Sequence, residues 1–119
     1  LNKCKLNGMN TLGLVVNASI GFYDIVQTVT QSINDVHVQA QIKNTYYFNE
    51  LGEMVTGFIK TVDNKTYFFD NSTGADMGKM VIGWKKIQND WYYFNLDGSM
   101  LVSSTTPDGY LVGADGKMM

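Results

Sequence analysis

Hydrophobic and polar positions follow one rule in the first third of the chain and another in the rest. Ile25, Val26, Val29 and Ile33 recur at helical spacing, with Asp24, Gln27, Thr28, Gln31 and Asn34 between them. Apolar residues three and four apart line one stripe of a helix, so this spacing predicts a helix over 20–34, although Thr28, Val29 and Thr30 are weak helix formers. Val36, Val38, Ala40 and Ile42 then alternate with His37, Gln39, Gln41 and Lys43. Period two predicts a strand over 36–42 with one buried face, running directly into the segment that follows.

Beyond Asn44 the pattern becomes a repeat. The tripeptide Gly-x-Met occurs at Gly52-Glu53-Met54, Gly78-Lys79-Met80, Gly98-Ser99-Met100 and Gly116-Lys117-Met118. Each follows a short aromatic or apolar run: Tyr46-Tyr47-Phe48, Tyr67-Phe68-Phe69, Tyr92-Tyr93-Phe94 and Tyr110-Leu111-Val112. The methionine lies six positions after the run in three units and eleven after it in the second, where Asn71 to Asp76 add about five residues. Aromatic and β-branched residues favour strands, and Asn95-Leu96-Asp97-Gly98 or Gly113-Ala114-Asp115-Gly116 supply turns. Each unit therefore reads as a β-hairpin. A lone hairpin is marginal in water, so the units must stack and bury aromatics against their neighbours. Alternation places Trp91 and Tyr93 on one face of their strand, with Tyr92 and Phe94 on the other.

Composition narrows the function. The chain has 119 residues, a formal net charge of -2 and 13% aromatic residues. All 9 basic residues are lysines, a poor footprint for nucleic acid. No apolar run reaches the roughly 18 residues of a membrane span. Cys4 is the single cysteine, which excludes an internal disulfide framework and a cysteine-ligated zinc, and leaves pairing with another chain open. The sequence opens on Leu1, which implies a preceding segment; Leu1 to Phe22 makes a poor signal peptide because the run Leu12 to Val16 is short and broken by Gly13. Residues 1–43 carry only Phe22 and Tyr23 of the aromatics, and residues 44–119 carry the rest. That shift divides the chain into an N-terminal segment, 1–43, and a repeat region, 44–119.

The stretch Gly83-Trp84-Lys85-Lys86-Ile87-Gln88-Asn89-Asp90-Trp91-Tyr92-Tyr93-Phe94-Asn95-Leu96-Asp97-Gly98-Ser99-Met100 resembles a nearly full unit of the choline-binding, or cell-wall-binding, repeat family. The resemblance covers 44–119. It implies a mostly β chain: a stacked β-hairpin solenoid of about four repeats, preceded by a segment with one strand and a candidate helix. It also implies a secreted or cell-surface setting on a Gram-positive bacterium. Related repeats form the glucan-binding ends of glucosyltransferases and the receptor-binding ends of large toxins. The partner so implied is choline of wall teichoic or lipoteichoic acid, or a surface glycan.

A quaternary ammonium cannot donate a hydrogen bond, so ring faces must hold it through their negative quadrupole. By resemblance, the walls of such a cage are Trp84, Trp91 and Tyr110, with Met100 as its floor. In the unit containing Tyr67 the matching pair is Phe58 and Thr66, and in the first unit Thr45 stands where Trp91 stands later, so at most one choline cage is expected. These departures approach the glucan-binding and toxin branches. There the same rings stack on sugars, with Gln88, Asn89 and Asp90 as candidate partners for hydroxyls.

Catalysis finds no constellation. His37 is the single histidine and sits on the polar side of its strand, without a cysteine or carboxylate cluster to act with. Asp63, Asp70, Asp97, Asp108 and Asp115 stand in or beside turns, where backbone bonding explains them. The segment Asp70-Asn71-Ser72-Thr73-Gly74-Ala75-Asp76 lacks calcium-loop spacing and reads as a turn insertion. No catalytic residue, cofactor or metal is expected. Two alternatives to wall attachment stay open: a structural spacer or protein-interaction repeat without a small ligand, and the targeting end of an enzyme whose catalytic domain is absent from this chain. The oligomeric state is also open, because an exposed hairpin edge can pair between molecules.

Overall fold

The N-terminal periodicity resolves into strands. The computed structural model describes residues 21–119, where the elements are all β. Strand β1 (Gly21–Ile33) pairs antiparallel along its whole length with β2 (Val36–Phe48), from Gly21↔Phe48 to Ile33↔Val36. The helix expected over 20–34 is therefore not formed by its described residues. Two physical reasons account for this. Val26, Thr28, Val29 and Thr30 are β-branched and resist helix, and a spacing of four, as from Ile25 to Val29, is even and so also serves one strand face. The connection settles it: Asn34 and Asp35 have φ of 49° and 63°, positive at both central positions of a two-residue hairpin turn. The strand expected over 36–42 is present and continues through Asn44 to Phe48, but the buried face expected of it is not formed: both faces are exposed over 36–42, and burial begins only toward Tyr46 and Phe48.

The chain forms two compact units that part between Val55 and Thr56. In the first, β2 also pairs with the short β3 (Met54–Val55) through Tyr47↔Val55 and Phe48↔Met54. Phe22 stands edge-on to Tyr47 at 5.2 Å, and Tyr23 edge-on to Phe48 at 5.5 Å. From Val26 to Lys43, leaving Ile33 aside, the ribbon is exposed.

The second unit is a stack of three hairpins: β4 (Gly57–Lys60) with β5 (Thr66–Phe69), β6 (Gly83–Ile87) with β7 (Asp90–Phe94), and β8 (Ser104–Thr105) with β9 (Leu111–Val112). The Gly-x-Met tripeptides add a third strand position. Phe69 bridges Met80, Phe94 bridges Met100 and Val112 bridges Met118, as Phe48 does Met54 in the first unit. Phe48, Phe69, Phe94 and Val112 are 1%, 0%, 0% and 2% exposed, so the same repeat position supplies the centre of the core each time. The methionine backbone also ties hairpins together. Met100 N–H donates to Thr66 O at 2.7 Å, and Met118 N–H to Trp91 O at 2.8 Å, in each case reaching the preceding hairpin.

The turn before each methionine shows why glycine is needed. Gly98 N–H donates to Asn95 O and Asn95 N–H to Ser99 O, both at 2.8 Å, with Gly98 at φ 88°. An L side chain rarely adopts that φ. The insertion in the second unit keeps this closure: Asp70 N–H donates to Lys79 O at 2.8 Å and Gly78 N–H to Asp70 O at 2.7 Å. Asp70 Oδ1 further accepts from Ser72 N–H at 2.8 Å, a turn bond, in keeping with a turn insertion.

Candidate functional site

Trp84 is the second residue of β6, and the register places Tyr93 of β7 directly opposite it. Trp91 lies two residues before Tyr93 and so shares its face. Tyr110 comes from the next hairpin, immediately before β9. All three surround the Trp84 indole edge-on: Tyr93 at 5.3 Å and 75°, Tyr110 at 5.8 Å and 86°, Trp91 at 6.4 Å and 83°. These centroid distances fall in the range of favourable edge-to-face packing. Trp91 and Tyr110 are 42% and 53% exposed, so the corner is open to solvent.

The loop carrying Tyr110 is tightly built. Thr106 N–H donates to Tyr110 O at 2.7 Å, Gly109 N–H donates to Thr106 O at 3.0 Å, and Tyr110 N–H donates to Thr106 Oγ1 at 2.9 Å. Pro107 pre-sets the first central residue of this turn, and Gly109 takes φ 94°. The turn also brings Asp108 to the corner, where its Oδ2 accepts the Trp84 Nε1–H at 2.9 Å. Hydrogen bonds from the Thr106 hydroxyl and then from the Trp84 indole hold the Asp108 carboxyl below the usual carboxylate range.

The four residues singled out in the sequence are thus placed in two ways. Trp84, Trp91 and Tyr110 come together. Met100 lies over the next turn, where a Cβ on Gly116 would meet its Sδ and Cε at 2.6 Å. Tyr93 and Asp108 were not among them. Hairpin register would have paired Tyr93 with Trp84, whereas the Asp108 contact depends on how successive hairpins stack and leaves no local sequence mark. Of the polar residues considered for sugar hydroxyls, Asp90 is engaged with Lys117 at 3.4 Å, and Gln88 sits in the hairpin turn at φ 57°.

A second corner occupies the same position one hairpin earlier. Phe58 stands edge-on to Phe68 at 4.9 Å and to Tyr92 at 5.5 Å, and is 46% exposed. Thr66 takes the place of Trp91, so this corner has one wall fewer. Among the described residues no group of three or more His, Cys, Asp or Glu is arranged to hold a metal ion, and no helix is long and apolar enough to cross a membrane.

Comparison with known proteins adds a family. Two models, each described as choline-binding repeat, match residues 38–79 and 83–118. A glucosyltransferase-S of Streptococcus mutans is 33% identical over 86 residues, covering 71% of this chain and 6% of the relative. Choline binding protein F of Streptococcus pneumoniae, crystallised in the presence of a peptidoglycan analogue, aligns with a TM-score of 0.57 at 27% identity. That alignment covers 78% of this chain and 26% of the other. The choline binding domain of Spr1274 of the same organism aligns with a TM-score of 0.55 at 26% identity, over 78% of this chain and 95% of that domain.

Proposed function

Because residues 38–79 and 83–118 belong to the choline-binding repeat family, we propose that this chain is a non-catalytic attachment module that holds a protein to the bacterial cell wall. The Trp84 corner is its ligand site, with Trp84, Trp91 and Tyr110 as walls and Tyr93 as backing. The observation that carries this reading is the geometry: rings from two hairpins converge on one indole, yet two of them stay about half exposed. Rings recruited only as core would be covered. Each desolvated ring contributes roughly 1–2 kcal/mol toward a quaternary ammonium. Three such walls give on the order of millimolar affinity, which several copies on one surface would raise by avidity.

Wall choline is the ligand class that the family and the pneumococcal neighbours favour; a surface glycan is the alternative that the glucosyltransferase relative favours. The relative supports a second reading of the whole protein too. This chain spans 6% of its length, a proportion that suits the targeting end of a larger enzyme. Sedimentation with cell walls tests the proposal. The chain is expected to sediment with choline-containing walls, to be released by free choline, and to stay in solution with choline-depleted walls. Equal sedimentation with both walls would replace choline by a glycan, and sedimentation with neither would leave a spacer.

A further inference from the structure

The Trp84 corner carries a charge that ring packing does not call for. Asp108 Oδ2 accepts from Trp84 Nε1–H at 2.9 Å, and Oδ1 accepts from the Thr106 hydroxyl at 2.6 Å. Both donors are neutral. Asp24, Asp70, Asp76, Asp90 and Asp97 each have a lysine partner within 4.0 Å. Asp108, like Asp35, Asp63 and Asp115, has no such partner among the described residues, and it holds its negative charge beside the indole. Its position is fixed from below, since Thr106 is 3% exposed and anchors the turn.

Resting on the reading of this corner as a ligand site, we propose that Asp108 is its positioning and charge-selecting residue, restricting the corner to cationic ligands of the quaternary ammonium class over neutral sugars. Two effects act in the same direction. The carboxylate attracts a cation at the ring walls directly, by an amount that salt screens. It also draws on the indole N–H and so pushes electron density into the ring, which deepens the negative potential of the Trp84 face that a cation meets. A neutral sugar gains from neither effect. The Phe58 corner differs on this point, because phenylalanine has no N–H to offer a carboxylate.

The test compares choline with 3,3-dimethylbutan-1-ol, its neutral isostere, by tryptophan emission. The native chain is expected to bind choline about tenfold or more tightly than the alcohol. Asp108→Asn keeps an oxygen for the indole and removes the charge, so choline affinity falls about three- to tenfold while that of the alcohol is unchanged. Asp108→Ala also frees the indole and weakens both ligands. Raising salt from roughly 20 mM to roughly 0.5 M weakens choline alone in the native chain, a measurement that needs no variant. Equal affinity for the two ligands, or equal losses in Asp108→Asn, would overturn the charge role and leave the corner as a site of shape. Binding of neither ligand would overturn the corner itself, and the charge role with it.

Discussion

The thioether of Met100 fills the space over Gly116 that a Cβ would need, as that of Met80 does over Gly98. One tripeptide thus performs three tasks. Its glycine turns the chain at positive φ, its methionine pairs with the core residue of its own hairpin, and the side chain caps the glycine of the next. Gly116→Ala is expected to be costly: about 1 kcal/mol for the left-handed backbone and about 1–3 kcal/mol more for overpacking. At Gly83, with φ 83° but nothing within 4 Å of an added Cβ, only the first cost applies. Denaturant titration should rank Gly116→Ala well below Gly83→Ala, and Met100→Ala should relieve part of the former in a double-mutant cycle. Equal losses at the two glycines would show that contact with methionine is unimportant.

Phe94 and Trp91 share a strand but not a role. Phe94 is fully buried, and Phe94→Ala should cost about 3–5 kcal/mol and leave the repeats largely unfolded. Trp91 is 42% exposed, so Trp91→Ala should retain most of the stability while losing ligand affinity. Thermal melts beside a binding assay separate the two. Comparable melting losses would make Trp91 a core residue.

Turn carboxylates set the acid response. Hydrogen bonds from the Ser99 hydroxyl and backbone N–H hold the Asp97 carboxyl below the usual carboxylate range, as those from Thr106 and Trp84 do for Asp108. A folded-state value below the unfolded one means the unfolded chain takes up protons first as pH falls. The stabilisation is therefore complete above about pH 5 and drains away as pH drops through the ordinary carboxylate range toward the lowered values. Melting temperature should be level from pH 7 to 5 and fall below pH 4, less steeply in Ser99→Ala. A variant with the native slope would place the acid response elsewhere.

The β1–β2 turn offers a check on the ribbon. Asp35 at φ 63° is in a conformation that glycine adopts freely, so Asp35→Gly should stabilise the hairpin by up to about 1 kcal/mol. Asp35→Pro cannot reach that φ and should open it. Amide exchange over β1 and β2 would slow in the first and quicken in the second; no change in either would mean the turn does not hold the ribbon.

Much of this architecture was legible in the sequence, for a physical reason. A repeat writes its turn chemistry and its buried position at a fixed interval, so Gly-x-Met and the aromatic runs announce the hairpins and their stacking. The reading failed where a hairpin outgrew the interval. Gly21-Phe22 pairs with Phe48-Tyr47 just as Gly83-Trp84 pairs with Phe94-Tyr93, which makes β1 the opening strand of the first hairpin. Its arms, however, are 13 residues long where those of β6 and β7 are 5, and that distance hid the relation. The dipeptide Gly-Phe and the Asn34-Asp35 turn were the available signals. At the candidate corner, Trp84, Trp91 and Tyr110 came from the family resemblance, and Tyr93 could have been read from strand register. The corner was not legible at Asp108, whose contact with Trp84 is 24 residues distant and made by stacking.

The central claim is that the Trp84 corner takes a ligand, and it is open to one direct measurement, because Trp84 and Trp91 are the only tryptophans. Choline, then wall and glucan oligosaccharides, are titrated while tryptophan emission is followed. The account predicts a saturable shift with choline at about millimolar concentration, abolished in Trp84→Ala. An emission spectrum unmoved by choline and by every oligosaccharide would contradict it and assign these rings to the core.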